Sequence, residues 1–88
     1  MNLKLVIVDD NPADRAMLRR MLNSSDLVVE LVEIATAREL IALSLSDIDC
    51  VLLDNRLPDR DGIDAIIEVS RDRQYPPCPM IIMTGQGG

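Results

Sequence analysis

Four short apolar runs alternate with stretches of helical spacing along the chain, and this alternation restricts the possible folds more than any other feature. Each run has the length of one β-strand and is rich in Val, Ile and Leu, which is typical of strands buried on both faces of a sheet. The predicted strands are residues 3–8, 27–34, 50–54 and 80–84, and the predicted helices are residues 12–23, 37–45 and 62–71. This order favours parallel strands joined by right-handed crossovers. We therefore predict the α/β class: a doubly wound parallel sheet with βαβαβαβ order and helices on both faces.

The first predicted helix has a well-defined start. Asn11 is a favourable N-cap, and Pro12 suits the first helical position because its missing N–H is not needed there. Apolar residues then recur at helical spacing, at Met17, Leu18, Met21 and Leu22. The helix is expected to end near Asn23 and Ser24.

Length and charge restrict the class of protein. The chain has 88 residues, enough for one small domain with a single core. Its formal net charge of −6 argues against a nucleic-acid-binding surface, because contact with phosphates needs clustered Lys and Arg. No signal peptide is recognisable at the start, and no apolar stretch approaches the ~20 residues that span a bilayer. We expect a cytoplasmic protein that binds neither nucleic acid nor membrane.

Missing and sparse residue types exclude several kinds of site. Histidine is absent, which excludes a Ser-His-Asp triad, a histidine phosphocarrier and a histidine zinc site within this chain. The two cysteines, Cys50 and Cys78, have neither metal-like spacing nor a CxxC motif. We expect both to be small buried apolar residues, since a cytosolic setting disfavours a disulfide.

Polar residues follow three of the four predicted strands, at the edge where folds of this class bind ligands. Asp9 and Asp10 follow the first strand, Asp54 ends the third, and Thr84 ends the fourth. If the first and third strands are neighbours, three carboxylates meet in one shallow pocket. At about 4 Å each like-charge pair costs roughly 4 kcal/mol at an effective dielectric of about 20, unless one group is protonated or a cation binds. Taken singly, each Asp also fits a helix cap or a turn. Together these hard oxygen ligands favour a Mg²⁺ site over a zinc site.

Three motifs, in this order, resemble the receiver domain of two-component response regulators. They are VDDN at the end of the first strand, LLDNRLPDRDG across the third strand and the following loop, and IIMTGQG at the fourth strand. Together they extend over nearly the whole chain. The resemblance implies a flavodoxin-like receiver fold and identifies residues 1–88 as the N-terminal portion of a receiver (response regulatory) domain.

The resemblance also implies a role for each matching residue. Asp54 would be the phosphoacceptor, whose carboxylate attacks a phosphoryl group to form an aspartyl phosphate. Asp10 and Asp54 would bind Mg²⁺, Asp9 would act mainly through metal-bound water, and the backbone carbonyl of Arg56 would complete the protein ligands. Thr84 would be the phosphate-sensing hydroxyl. The alternative is a structural role, in which the hydroxyl of this strand-end threonine forms a hydrogen bond with its own backbone.

The loop after the third strand contains further residues of the LPxxDG pattern. Pro58 would stiffen this loop, and Gly62 would permit a tight entry to the next helix. Asp59, Arg60 and Asp61 are expected to be solvated loop charges. Asp59 and Arg60 are also candidates for the border of the phosphate entrance.

The chain departs from the family pattern at its C-terminal end. Receiver domains continue through a fourth helix, a fifth strand and a fifth helix, which carry a phosphate-binding lysine and an aromatic switch residue, whereas this sequence stops at Gly88. Lys4 lies at the wrong end of the first strand, and Tyr75 precedes the fourth strand, so neither replaces them. We expect a fragment of a longer protein, with an apolar edge at residues 80–82 that invites pairing with another chain or a second copy.

The leading functional hypothesis is a phosphorylation-dependent signalling switch. A histidine kinase or His-phosphotransfer protein would supply the phosphoryl group, and phosphate at Asp54 would change the surface read by an output domain of the longer protein. Since the chain would catalyse only its own phosphorylation and dephosphorylation, we do not expect an enzyme with turnover. The alternative is a phosphorylation-independent receiver-like module for interaction or dimerisation. A Mg²⁺-dependent phosphohydrolase is less favoured, because such enzymes need an acid where Arg56 stands.

Overall fold

The four apolar runs form one parallel sheet. The protein is described by a computed structural model that covers residues 2–71 and 76–83. Its strands are β1 (Asn2–Val8), β2 (Val28–Ile34), β3 (Cys50–Asp54) and β4 (Met80–Met83), and they lie in the order β2-β1-β3-β4. Parallel pairing brings the carboxyl ends of β1, β3 and β4 to the same edge of the sheet. The predicted fold class is confirmed.

The register of the central strands brings the candidate acids to one level. Val8, the last residue of β1, is paired with Leu53 on β3, and Asp54 is paired with Met83 on β4. Asp9 therefore leaves β1 beside the point where Asp54 ends β3. The first and third strands are neighbours, which is the condition under which the sequence places the three carboxylates together.

Three helices connect the strands: α1 (Pro12–Asn23), α2 (Ala37–Ala42) and α3 (Gly62–Val69). The start of α1 is as predicted. The Asn11 side chain accepts a hydrogen bond from the Ala13 N–H at 2.9 Å, and Pro12 occupies the first helical position.

Two helices end earlier than the sequence predicts. α2 stops at Ala42, where Leu43 turns to extended backbone with φ −80° and ψ 139°. The serines on either side of Leu45 favour turns over a helix interior, yet Leu45 itself is still buried in the core. α3 stops at Val69, and Ser70 forms its C-cap. Leu45 thus lies in the core although the helix has already ended.

The main hydrophobic core lies between the sheet and the helices α2 and α3. Its buried side chains include Val6, Val8, Val51, Leu53, Leu40 and Ala65. Because side chains alternate along a strand, the fully buried Ile7 points to the opposite face. On β2, Val32 and Ile34 pack on the main core, so Glu33 between them points to the opposite face. Arg19 of α1 binds Glu33 through two hydrogen bonds of 2.7 and 2.8 Å. α1 therefore lies on that opposite face. Helices cover both faces, as predicted.

Some of the apolar surface is exposed within the described residues. In α1, Leu18 and Leu22 are half-buried, whereas Met17 and Met21 are exposed. Other exposed large apolar side chains are Leu27, Val28, Ile63, Ile67 and Ile81. Ile81 lies on β4, at the edge of the sheet that the described residues form, so the predicted apolar edge is confirmed. Among residues 2–71 and 76–83, no helix is both long and apolar enough to cross a membrane.

Both cysteines are free thiols. Cys78 is buried, and Cys50 is half-buried at the start of β3. Burial raises the pKa of both thiols, so each side chain is an uncharged, weakly polar residue at neutral pH.

Candidate metal centre

Three aspartates lie together at the carboxyl edge of the sheet. Asp9 and Asp10 follow β1, and Asp54 ends β3. One carboxylate oxygen from each residue lies within 4.8 Å of the corresponding oxygens of the other two. The structure therefore brings together the three carboxylates that the sequence predicts to share one pocket.

Asp9 is the buried member of this cluster, with 5% of its surface exposed. Its Oδ1 accepts a hydrogen bond from the Asn11 N–H at 2.9 Å. Its backbone N–H donates to the Ile34 carbonyl at 3.0 Å, and its carbonyl accepts from Arg15 Nη1 at 2.5 Å. Contacts from β2 and α1 thus hold the Asp9 backbone on both sides.

The pKa of Asp9 shows the electrostatic cost of this arrangement. Burial raises the pKa of the carboxyl, and the hydrogen bond from Asn11 opposes that effect. The charges of Asp54, Asp14 and Asp10 raise the pKa further. Negative charge on Asp9 is therefore less favourable here than in water, and a bound cation would remove this cost.

Asp54 and Asp10 are more open to solvent. Asp54 is half-buried at the end of β3, and Asp10 is exposed. Asp54 Oδ1 accepts a hydrogen bond from the Arg56 N–H at 3.2 Å, which fixes the side chain against the start of the following loop. The cluster is thus buried at Asp9 and open to solvent at Asp10.

The loop from β3 to α3 is closed at its base and anchored in the core. Arg56 and Asp61 form an antiparallel β-bridge, and the Gly62 N–H donates to the Asn55 carbonyl at 2.8 Å. Leu57, next to Arg56, is buried in the hydrophobic core. The Arg56 backbone therefore lies on a constrained segment directly after Asp54.

Gly62 fits its position because two backbone segments come close together. A Cβ atom at this residue would lie 2.8 Å from the Asp54 carbonyl oxygen and 3.2 Å from Asn55 Cα. Both contacts are to backbone, which cannot move aside as a flexible side chain can. The predicted tight entry to α3 is confirmed, and its cause is the close approach of α3 to the end of β3.

The donor set fits a hard divalent cation. All the side-chain donors in the cluster are carboxylate oxygens. Oxygen ligands of this kind suit Mg²⁺, Ca²⁺ or Mn²⁺ rather than a soft metal. A cation among them would also offset the repulsion that raises the pKa of Asp9.

Other predicted residues lie away from this cluster or outside the described part of the chain. Thr84 and Tyr75 lie outside the described residues. Lys4 is at the opposite end of β1, where its Nζ lies 2.9 Å from Asp47 and 3.4 Å from Glu30. As predicted, Lys4 does not reach the acids.

Two side chains near the cluster have contacts that the sequence did not predict. Arg15 binds the Asp9 carbonyl and also lies 3.5 Å from Glu33. Asp59 is exposed, as predicted, but it is not only solvated, because its carboxylate binds the first two backbone N–H groups of α2. The contacts of Arg15 with Glu33 and of Asp59 with α2 join elements that are distant in sequence, so no local pattern could indicate these partners.

Comparison with known proteins identifies the family of this chain. A family model described as the response regulator receiver domain matches residues 5–88. The chain is 31% identical over 86 residues to the two-component response regulator ORR6 of Oryza sativa subsp. japonica, covering 96% of this chain and 51% of that protein. It is 36% identical over 83 residues to the transcriptional regulatory protein FixJ of Bradyrhizobium diazoefficiens, covering 94% of this chain and 39% of that protein. The chain thus spans about half the length, or less, of these two relatives.

A solved structure has the same fold. The MaeR response regulator bound to beryllium trifluoride is 26% identical to this chain, with a TM-score of 0.75. The match covers 98% of this chain and 70% of the MaeR chain. The family match, the relatives, the parallel sheet and the acidic cluster agree: the chain belongs to the family of response regulator receiver domains.

Proposed function

We propose that this domain is the Mg²⁺-dependent phosphoacceptor of a two-component system, with Asp54 as the residue that is phosphorylated. The observation that carries the proposal is the approach of Asp9, Asp10 and Asp54 to within 4.8 Å at the end of β3. Membership of the receiver family supports the same reading.

The proposed ligands of Mg²⁺ are the acids of the cluster and one backbone group. Asp10 and Asp54 would hold the ion directly, Asp9 would act mainly through water on the ion, and the Arg56 carbonyl would complete the protein ligands. When bound, Mg²⁺ would supply positive charge that offsets the charge on the phosphoryl oxygens during an in-line displacement. The hydrogen bond from the Arg56 N–H to Asp54 Oδ1 leaves the other oxygen, Oδ2, for the reaction.

In the proposed reaction an Asp54 carboxylate oxygen attacks the phosphorus of a phosphohistidine. The new O–P bond forms as the N–P bond to the donor imidazole breaks, and the electron pair of that bond stays on the imidazole nitrogen. The donor histidine must lie outside these 88 residues, because they contain no histidine. A histidine kinase or a His-phosphotransfer protein has the required chemistry.

Asp54 phosphate is proposed to change the conformation of the domain through Thr84. Thr84 follows Met83, whose carbonyl accepts from the Asn55 N–H at 3.4 Å beside Asp54. A hydroxyl at that point of the sequence is suited to bind the new phosphate and bias a two-state equilibrium. An output domain in the longer protein reads the change, and the domain turns over no substrate beyond its own phosphoryl group.

Intact-mass measurement with a small phosphoryl donor tests the proposal. The full chain is incubated with acetyl phosphate, with and without Mg²⁺, beside the variants Asp54→Asn and Asp61→Asn. Both variants remove one carboxylate charge from the same region, but Asp61 lies outside the acidic cluster. We expect a Mg²⁺-dependent phosphoryl adduct on the wild type and on Asp61→Asn, and none on Asp54→Asn. An adduct that persists in Asp54→Asn would exclude Asp54 as the acceptor.

A further inference from the structure

The Asp59 side chain joins the loop that follows Asp54 to the start of α2. Asp59 Oδ1 accepts a hydrogen bond from the Ala37 N–H at 3.0 Å, and Oδ2 accepts from the Arg38 N–H at 2.8 Å. Burial alone would raise the pKa of this carboxyl, but the backbone hydrogen bonds from Ala37 and Arg38 lower it. The carboxylate is therefore ionised at neutral pH, and ionised acceptors form the stronger hydrogen bonds.

The start of α2 needs this external acceptor. Thr36 and Glu39 form a variant of the capping box. Thr36 Oγ1 accepts from the Glu39 N–H at 3.1 Å, and Glu39 Oε1 accepts at 3.3 Å from the N–H of Ala35, one residue before the N-cap. These local contacts leave the amides of Ala37 and Arg38 to Asp59. Ala37 is fully buried, so water cannot readily replace the carboxylate as the partner of its N–H.

The same loop carries the backbone that adjoins the acidic cluster. Its first contact is the hydrogen bond from the Arg56 N–H to Asp54, its second is the burial of Leu57, and its third is the binding of Asp59 to α2. The Arg56 carbonyl lies between the first and third of these contacts. The Arg56–Asp61 bridge and the buried Leu57 hold this segment from the loop side, and Asp59 ties it to α2. Release of Asp59 would therefore remove the contact that fixes the position of the loop relative to α2.

We propose that Asp59 is a positioning residue for the metal site: by binding α2, its carboxylate helps to hold the loop that carries the Arg56 carbonyl beside Asp54. This inference rests on the proposed function, because it takes the Arg56 carbonyl as a ligand. Asp59 itself is not a ligand of the ion.

Mg²⁺ titration of the ¹⁵N-labelled full chain tests this role. The dissociation constant is measured from amide shifts for the wild type, Asp59→Ala, Asp59→Asn and two controls. Asp61→Asn removes a charge from the same loop at a side chain that makes no capping hydrogen bond to α3. Glu39→Ala weakens the start of α2 through its capping box and leaves the loop untouched. Amide hydrogen exchange at Ala37 and Arg38 reports whether the contact with residue 59 is lost.

We expect Asp59→Ala to raise the Mg²⁺ dissociation constant about 10-fold, as loss of a residue that supports a metal ligand commonly does. Asp59→Asn keeps one acceptor oxygen and should have a smaller effect, which provides a second folded variant. Amide exchange at Ala37 and Arg38 should be faster in both. Asp61→Asn and Glu39→Ala should bind Mg²⁺ like the wild type, although Glu39→Ala lowers stability.

Two results would overturn the positioning role while leaving the proposed function intact. One is a Mg²⁺ dissociation constant that is the same in Asp59→Ala and Asp59→Asn as in a wild type that binds the ion. The other is an equal loss of affinity in Glu39→Ala, which would show that Asp59 acts only through the stability of α2. A wild-type chain that does not bind Mg²⁺ would instead contradict the proposed function, and this inference with it.

Discussion

The Asp9 and Asp54 carboxylates approach to within 4.8 Å because Val8 and Leu53, the residues before them, are paired on neighbouring parallel strands. The sheet thus creates the repulsion between the acids, and the burial of Asp9 increases it. In the absence of a cation the arrangement costs stability. The same arrangement brings together three carboxylates that can serve as oxygen ligands for a cation.

Asp9→Asn should stabilise the metal-free chain at neutral pH by on the order of 1 kcal/mol, the size of a common single-site effect. The variant removes a charge that burial and three neighbouring acids disfavour, and its amide oxygen can still accept from the Asn11 N–H. Urea denaturation with and without Mg²⁺ measures this. With Mg²⁺ the wild type should become more stable than Asp9→Asn, because binding of the ion stabilises the wild type more than the variant. Asp26→Asn, an exposed change of equal charge outside the cluster, should show neither effect.

The contribution of Asp9 to the stability of the metal-free wild type should fall as pH rises through the pKa of Asp9. Burial raises this pKa in the folded chain, so between the unfolded and folded pKa values the folded state binds more protons than the unfolded state. The resulting contribution to stability is complete below the unfolded pKa of about 3.9 and is lost as pH rises through the folded value. The difference in unfolding free energy between the wild type and Asp9→Asn isolates it. A difference that does not change across this range would contradict the raised pKa.

Gly62→Ala should destabilise the protein by about 1–3 kcal/mol, the usual cost of forcing atoms into a packed position. The added Cβ would lie 2.8 Å from the Asp54 carbonyl oxygen, so either α3 or the end of β3 must move. Because that movement displaces Asp54, Mg²⁺ binding should weaken as well. Urea denaturation and Mg²⁺ titration measure the two effects. Asp61→Ala is the control, because Asp61 is the neighbouring N-cap and its side chain makes no capping hydrogen bond. Equal losses of stability and of Mg²⁺ affinity in the two variants would argue against the steric explanation.

Arg15→Ala should lower stability by about 1–2 kcal/mol, since it removes a charge-assisted hydrogen bond to a carbonyl. Arg15 Nη1 binds the Asp9 carbonyl at 2.5 Å, and its Nε lies 3.5 Å from Glu33. Arg20→Ala is the matched control, because Arg20 is exposed on the same helix and has no ion pair within the described part of the chain. If both variants lose the same stability, the contact of Arg15 with Asp9 contributes nothing specific.

Much of the fold and the core of the site could be predicted from the sequence. Alternating apolar runs and helical spacing led to the parallel sheet, and carboxylates at the ends of two strands led to the acidic cluster. Apolar spacing could not locate the end of α2, because Leu45 is buried without being helical. It also did not distinguish Met17 and Met21, which are exposed, from the half-buried leucines beside them.

The contacts of Asp59 and Arg15 could not be predicted for a different physical reason. A charged residue in a loop or on a helix is most often solvated, and its local sequence contains no sign of a partner elsewhere. Asp59 binds α2 across a separation of 22 residues in the chain. Such contacts depend on tertiary packing, which brings the β3–α3 loop against the start of α2.

The measurement that tests the central claim most directly is the location of the phosphoryl group. After reaction with acetyl phosphate and Mg²⁺, borohydride reduction converts an aspartyl phosphate to homoserine, and tandem mass spectrometry identifies the converted residue. We predict homoserine at position 54 alone, and only when Mg²⁺ is present. Conversion at Asp9, Asp10 or another acid, or no conversion in a chain that NMR shows to be folded and to bind Mg²⁺, would contradict the assignment of Asp54 as the phosphoacceptor.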